Sequence, residues 1–196
     1  MVMDQKPFRT YELGGGLAFL TGRLPAFLVW TPQLFVEAWQ LHPEARPTIF
    51  LHGRHVTIPR WQQAYGADYH FSGQTSHAEP VPAILEPILR WATEAVHPQL
   101  NGVLLNWYDG PDQYIGPHRD SVKNMIKGVP IVTISFGETR TFRLSLGGER
   151  RDFPAENGTV FVIPQETNRV WKHAVPKSTR YTGRRISVTI RGFARP

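Results

Sequence analysis

The sequence RTFRLSL at Arg140–Leu146 alternates apolar and polar residues, and two glycines follow it at positions 147 and 148. An alternation with a period of two places successive side chains on opposite faces of a β-strand, and a glycine pair marks a turn. Further β-branched runs bounded by Gly, Pro or Asn lie at residues 131–136, 159–163 and 186–191. Short strands at this spacing are typical of a sandwich or a jelly roll.

The first half of the chain contains the helical signals. Thr31 is a good N-cap residue and Pro32 is favourable at the first helical position, which predicts a helix over residues 33–39. Apolar residues at three- and four-residue spacing predict a second helix over residues 84–96. No repeat or linker divides the 196 residues, so a single domain is expected. Helices before a β-rich core predict an α+β fold that is mainly β.

The composition limits the chemistry. The chain has no cysteine, which excludes disulfides, zinc fingers, iron–sulfur clusters and thiol nucleophiles. Any metal must therefore be held by histidine and carboxylate groups. No apolar run approaches the ~20 residues of a membrane helix, and the first residues do not resemble a signal peptide. We therefore expect a cytoplasmic protein without a membrane partner, and we expect a monomer.

The net charge of +6 is unevenly distributed. Residues 167–196 contain eight basic residues and no acid, whereas residues 1–166 carry a net charge of −2. A basic patch favours an anionic partner such as nucleic acid, although a solvated charged face is an equally good interpretation.

Residues 118–120, His-Arg-Asp, place two metal ligands on one face of an extended segment. A third ligand from a distant strand would complete a two-histidine, one-carboxylate triad, which leaves positions open at Fe(II) for a substrate and dioxygen. His173, just past the predicted strand at 159–163, is the candidate for that ligand. The strand RISVTIR at 185–191 then turns Arg185, Ser187, Thr189 and Arg191 to one face, an arrangement suited to a dicarboxylate.

Taken in order, several motifs resemble the AlkB-type Fe(II)- and 2-oxoglutarate-dependent dioxygenases. They are residues 106–108 (NWY), 115–120 (IGPHRD), 134–137 (ISFG), His173 and 185–191 (RISVTIR). Residues 59–66 (PRWQQAYG) and 71–73 (FSG) resemble the nucleotide-recognition lid of members that repair duplex DNA. The resemblance covers residues 48–193.

The resemblance implies a double-stranded β-helix, or jelly roll, within one domain at 1–196. Residues 1–47 would form an N-terminal extension, residues 48–100 the lid with a supporting helix, and residues 101–193 the catalytic core. His118, Asp120 and His173 would hold iron. The residues that would hold 2-oxoglutarate are Asn106, Tyr108, Arg185, Ser187 and Arg191, with Arg185 on the distal carboxylate and Arg191 nearer the metal-bound end. The family usually has Asn where this chain has Ser187, which can still donate one hydrogen bond.

The implied activity is oxidative dealkylation of N-alkylated bases in DNA, or in RNA, with Fe(II), 2-oxoglutarate and dioxygen. The products are an aldehyde, succinate, carbon dioxide and the restored base. The metal does the chemistry, so no side-chain nucleophile is needed. A 2-oxoglutarate-dependent hydroxylase of a small molecule, an unmodified nucleobase or a protein side chain is the alternative; a non-catalytic nucleic-acid-binding jelly roll fits the complete ligand set poorly.

A base that reaches the iron must leave the stack and is then held between aromatic groups. The resemblance places Phe71 on one side of the base and His118 on the other, with Tyr65, Tyr69 and Ser72 at the entrance. Tyr65 and Phe71 can also be plain core aromatics. The remaining lid residues that we expect to contact the substrate are Arg60, Trp61, His52 and Arg54, with Arg54 and Arg60 meeting phosphates.

Two positions depart from the repair members. His52 stands where duplex-specific relatives carry an apolar wedge, so a single-stranded substrate is as reasonable as a duplex. Val122 stands where an acidic side chain reads the exocyclic amino group of methylated adenine or cytosine. Valine cannot accept that hydrogen bond, which places a preference for those two bases in doubt and leaves exocyclic etheno adducts or another base as alternatives.

Overall fold

Strands make up most of the regular structure in residues 8–51 and 53–194, the part of the chain that the computed structural model describes. In chain order they are β1 Phe8–Gly14, β2 Leu17–Arg23, β3 Thr48–Leu51, β4 Arg54–Thr57, β5 Trp61–Tyr65, β6 Tyr69–Phe71, β7 Gln74–Ser76, β8 Ala78–Glu79, β9 Gly102–Asp109, β10 Ile115–His118, β11 Ile131–Gly137, β12 Arg140–Leu146, β13 Glu149–Ala155, β14 Thr159–Ile163, β15 Lys172–Val175 and β16 Arg184–Arg191.

The helices are short: α1 Pro32–Trp39, α2 Glu86–Ala95 and α3 Gln165–Val170. Helix α1 begins where predicted, and the Thr31 hydroxyl accepts a hydrogen bond from the Leu34 backbone N–H at 3.3 Å. Helix α2 confirms the second predicted helix, whereas α3 was not predicted. Within the described residues, no helix is both long enough and apolar enough to cross a membrane.

Two sheets face each other and form the jelly roll that the sequence predicted. The major sheet has the strand order β1-β2-β14-β11-β16-β9-β5-β8, and the minor sheet has the order β10-β15-β12-β13. Strands β3 and β4 form one separate hairpin, and β6 and β7 form another. The strands predicted at residues 131–136, 140–146, 159–163 and 186–191 correspond to β11, β12, β14 and β16.

The first half of the chain differs from the prediction of helices alone. Strands β1 and β2 form a hairpin, and β2 pairs with β14 to extend the major sheet. Three glycines with positive φ, Gly14 to Gly16, make its tight turn, where other residues would be strained. The alternation on β1 is weak because its side chains are mostly partly exposed on both faces. Residues assigned to an N-terminal extension therefore form part of the main sheet.

The major sheet is buried on both faces, and β16 shows how. Its apolar residues Ile186, Val188 and Ile190 belong to a core that also contains residues of α1 and α2. A second core between the two sheets contains Phe19, Phe142 and other aromatic and aliphatic residues. The polar residues of β16 point to the inner side, where the second core gives way to a cavity. Apolar packing thus holds the polar row of β16 in place.

Candidate active site

A cavity of about 590 Å³ opens between the two sheets. All four polar residues predicted to share one face of β16 line it: Arg185, Ser187, Thr189 and Arg191. Asn106 and Tyr108 on the neighbouring strand β9 line it too, since Asn106 pairs with Ser187 and Tyr108 pairs with Arg185.

The three predicted metal ligands meet at this cavity. His118 ends β10 and lies directly opposite His173 on the antiparallel strand β15. Asp120 follows two residues after His118, and one ligand atom from each of the three residues lies within 4.8 Å of the others. The Asp120 Oδ1 atom is 3.4 Å from His118 Nε2 and 3.6 Å from His173 Nε2. Two imidazoles and one carboxylate form the donor set of a non-haem Fe(II) site.

Hydrogen bonds behind the ligands fix their orientation. The Nδ1 atom of His118 is 2.8 Å from the Gly116 carbonyl oxygen, so its Nε2 faces the site. The buried Asn168 side chain, on α3, accepts a hydrogen bond from the Asp120 backbone N–H at 2.9 Å and donates one to the Asp120 carbonyl at 3.0 Å. Sequence reasoning missed Asn168, because neither its spacing nor any periodic pattern marks it.

Arg191 sets the charge of the carboxylate ligand. Its Nε donates to Asp120 Oδ2 at 3.0 Å, and a terminal nitrogen donates to the same oxygen. Burial alone would raise the pKa of Asp120, but the Arg191 charge and the two histidines hold that pKa well below its usual range. Burial lowers the pKa of His173. The site therefore presents an ionised carboxylate and a neutral His173 imidazole, the protonation states that metal binding requires.

Arg185 provides an anion site in the same cavity. Its side chain is fully buried, and its Nε donates to the Ser135 hydroxyl at 2.9 Å. Its two terminal nitrogens have no hydrogen-bond partner within the described part of the chain. An unpaired buried guanidinium is costly, and a carboxylate satisfies it with two parallel hydrogen bonds. The residues present therefore fit a dicarboxylate such as 2-oxoglutarate.

A second buried arginine, Arg140 on β12, was also missed. It donates to the carbonyl oxygens of Gln113, Gly110 and Gly183 at 2.8 to 3.1 Å. Its guanidinium lies 5.4 Å from the centre of the Tyr108 ring, and the Arg185 guanidinium lies 5.1 Å from the same centre. Arg140 thereby ties the loop after β9 to the start of β16.

The β6–β7 hairpin brings three of the predicted substrate residues to the cavity, Tyr69, Phe71 and Ser72. The Tyr69 hydroxyl donates to Asp120 Oδ1 at 3.4 Å, and burial raises the pKa of this phenol. The Phe71 ring is stacked on Tyr69 with a centroid distance of 6.0 Å. Phe71 therefore lines the cavity and packs against Tyr69, the residue that contacts the metal ligand Asp120.

The structure contradicts the substrate role of Trp61 and Tyr65. Trp61 pairs with Trp107 across β5 and β9 and stacks on His42 at 4.7 Å, on the outer face of the sheet. Tyr65 is 2% exposed in the same core, and burial raises its pKa to about 12. Neither residue lines the cavity. Tyr65 is thus the core aromatic that the sequence had left as an alternative.

The other lid residues have mixed outcomes. Arg60 lines the cavity, is 8% exposed and donates to Asn106 Oδ1 at 2.9 Å; its contact with backbone phosphates stays a prediction. Val122 is 43% exposed and does not line the cavity. Arg54 is exposed on β4, and its phosphate contact stays a prediction. His52 lies outside the described residues.

A basic groove of about 420 Å³ lies beside the metal site, on the minor sheet. We define it by its four basic side chains, Arg119, Arg143, Arg150 and Lys172. Arg143 is paired with Asp152 at 2.6 Å. Arg119 lies between the ligands His118 and Asp120 in sequence and donates to the Val170 carbonyl, away from the metal cluster. A cationic surface therefore adjoins the cavity.

A jelly roll with two histidines, an aspartate and an unpaired arginine in one cavity defines a 2-oxoglutarate- and Fe(II)-dependent oxygenase. Residues 35–191 match the family described as the 2OG-Fe(II) oxygenase superfamily, and the chain belongs to it. Fe(II), 2-oxoglutarate and dioxygen are the cofactors of this family, which confirms that prediction.

Individual relatives confirm the AlkB-type resemblance. The DNA oxidative demethylase ALKBH2 of Homo sapiens is 29% identical over 160 residues, covering 75% of this chain and 60% of that protein. The human alpha-ketoglutarate-dependent dioxygenase alkB homolog 3 is 28% identical over 149 residues, covering 68% of this chain and 51% of that protein. The chain thus spans less than two thirds of these relatives. A solved structure described as "The structure of OsALKBH1" superposes with a TM-score of 0.61 at 14% identity, over 95% of this chain and 100% of that one, which supports the fold.

Proposed function

We propose that this protein is a dioxygenase that uses Fe(II), 2-oxoglutarate and dioxygen to remove N-alkyl groups from bases in DNA. The observation that carries the oxygenase chemistry is the meeting of the His118, Asp120 and His173 ligand atoms and the unpaired Arg185 guanidinium in one cavity. Because the metal site and the dicarboxylate site share one cavity, a bound metal and a bound dicarboxylate can react with each other.

Each group has a distinct task in this proposal. His118, Asp120 and His173 would hold the iron, and Arg191 and Asn168 would keep Asp120 ionised and oriented. Arg185 would bind the distal carboxylate of 2-oxoglutarate, with Asn106, Tyr108 and Ser187 beside it. When bound, iron with 2-oxoglutarate and dioxygen supplies the oxidising chemistry, which converts an N-alkyl group to a released aldehyde while succinate and carbon dioxide form.

Three observations support a nucleic acid substrate. The relatives named above include DNA oxidative demethylases. Phe71 and Tyr69 line the same cavity as His118, so an extruded base could be held between aromatic groups there. The basic groove offers Arg119, Arg150 and Lys172 to phosphates next to the cavity. DNA is the proposed substrate, and RNA is an outcome that the same experiment would reveal.

The test is a panel of singly alkylated oligonucleotides, single- and double-stranded, incubated with Fe(II), ascorbate and 2-oxoglutarate and analysed by mass spectrometry. We expect loss of the alkyl group with an equal yield of succinate. Succinate formation with a metabolite pool or a peptide, and with none of the oligonucleotides, would overturn the proposal in favour of a small-molecule or protein hydroxylase.

A further inference from the structure

Two buried donors, Arg60 just before β5 and Gln62 on β5, line the cavity, and one of them has no acceptor among the described residues. Arg60 and Gln62 are 8% and 3% exposed. A terminal nitrogen of Arg60 donates to Gln62 Oε1 at 3.4 Å, so the amide oxygen of Gln62 faces the guanidinium and its Nε2 faces the other way. That Nε2 is buried, and nothing in residues 8–51 and 53–194 accepts its hydrogen bond. An unsatisfied buried donor is energetically costly, so we expect a ligand to supply an acceptor here.

The position of β5 assigns these donors to the substrate side. Strand β9 separates β5 from β16, which carries Arg185. On its other side β5 contacts the β6–β7 hairpin, because the Ala64 backbone N–H donates to the Ser76 hydroxyl at 3.2 Å. That hairpin carries Tyr69 and Phe71. Gln62 therefore lies between the wall that fits 2-oxoglutarate and the hairpin expected to contact a base.

The cavity offers a substrate little negative charge. Among the described residues that line it, Asp120 is the one acid, and its oxygens already face Arg191, two histidines and Tyr69. An amino group facing Gln62 Nε2 would place one donor against another. A carbonyl oxygen, such as thymine O4 or guanine O6, would satisfy Gln62 Nε2.

We propose that Gln62, supported by Arg60, selects N-alkylated bases that carry a carbonyl group rather than an amino group at C4 of a pyrimidine or at C6 of a purine. N-alkylated thymine, uracil or guanine is then preferred over N-alkylated adenine or cytosine. This specificity rests on the proposed function, since it concerns which base that same site accepts. Gln62 is a specificity-determining residue that contacts the substrate and takes no part in the oxidation.

The experiment compares kcat/KM for four single-stranded oligonucleotides that differ only in one base: 3-methylthymine, 1-methylguanine, 1-methyladenine or 3-methylcytosine. We expect the first two to exceed the last two by about 10-fold, since one hydrogen bond of about 1.4 kcal/mol corresponds to that factor. Gln62→Glu replaces the donor with an acceptor of the same size, and the preference should fall or reverse. Gln62→Met should lose the preference without favouring the amino bases.

Gln63 provides the matched control. Its amide donates to the carbonyls of Ala64 and His77, and it does not line the cavity. Gln63→Glu and Gln63→Met should leave the preference unchanged. Melting temperatures establish that each variant is folded, and Gln62→Met carries the test if Gln62→Glu is not.

Three results would overturn the inference while the proposed function stands. They are a wild-type preference for the amino bases, an unchanged preference in the folded Gln62 variants, and a raised KM for 2-oxoglutarate in Gln62→Met with the base preference intact. The last result would assign the donor to the co-substrate. Failure to dealkylate any of the four oligonucleotides would overturn the proposed function and this inference with it.

Discussion

Strands β16 and β5 flank β9 in the major sheet, and each turns one row of side chains to the cavity and the other to the apolar core. On β16 the cavity row includes Arg185 and Arg191. The terminal nitrogens of Arg185 have no partner among the described residues, whereas Arg191 neutralises Asp120. On β5 the cavity row includes Gln62, while Trp61 and Tyr65 pack behind it. Each of these strands therefore has one face whose residues serve binding and catalysis and an opposite face whose residues stabilise the fold. Substitutions on the two faces should have different kinds of effect.

The largest expected effect is on the cavity face of the minor sheet. His173→Ala should reduce turnover to the background, because only Asp120 and His118 would remain to bind the metal, which would lack its third protein ligand. Oligonucleotide affinity, measured by fluorescence anisotropy, should change by less than about twofold, since the basic groove is untouched. Joint loss of turnover and of binding would show that His173 has a structural role.

Arg185→Met tests the anion site on β16. The KM for 2-oxoglutarate should rise about 100-fold, because a bidentate charged contact contributes about 3 kcal/mol. The melting temperature of the ligand-free protein should not fall, since the substitution removes an unpaired buried charge. Arg184→Met is the control: Arg184 is the preceding residue, is exposed and lies over the Trp39 ring, so the KM should be unchanged. Equal effects in the two variants would disprove the site.

Asn168→Ala tests the support behind the metal ligands. Loss of the two hydrogen bonds to the Asp120 backbone should weaken Mn(II) binding about 10- to 100-fold, as measured by calorimetry. Asn157→Ala removes an exposed asparagine that accepts from the Gly137 backbone N–H, and it should leave metal affinity unchanged. Metal affinity in Asn168→Ala equal to that of the wild type would mean that Asp120 needs no such support.

The smallest expected effect on activity comes from the outer face of β5. Trp61→Ala should lower the free energy of unfolding by about 2 kcal/mol, since the half-buried ring loses its contacts with His42 and Trp39. The KM values for oligonucleotide and 2-oxoglutarate should stay unchanged at a temperature where the variant is folded. An altered KM for the oligonucleotide, without a change in the free energy of unfolding, would show that Trp61 contacts the substrate after all.

The sequence predicted the site residues correctly where the strand alternation and the chemistry of the expected ligand pointed to the same residues. On β16 the period of two placed four polar residues on one face, and the structure confirms it. In the segment from Arg60 to the end of β5, the expected substrate residues Arg60, Trp61 and Tyr65 came from both faces. The same period of two puts Trp61 and Tyr65 on the face opposite to Arg60 and Gln62. The period of two, applied to this segment, excludes Trp61 and Tyr65 from the substrate site and adds Gln62 to it.

Other features could not be predicted from local patterns. Asn168 and Arg140 act through backbone groups of distant segments, and a single sequence does not show which segments meet. The β1–β2 hairpin carries a weak alternation, so only its pairing with β14 reveals it as part of the sheet. The exposure of Val122 depends on the path of the loop after Asp120, which tertiary contacts determine.

The central claim is that the metal cluster and the Arg185 site form one functional cavity, and a calorimetric titration of 2-oxoglutarate tests it most directly. We predict one 2-oxoglutarate per wild-type chain, bound more tightly when Mn(II) is present. His173→Ala should abolish that enhancement and retain the weaker metal-independent binding through Arg185. Absence of 2-oxoglutarate binding to the wild type, or an affinity that Mn(II) does not change, would contradict the claim.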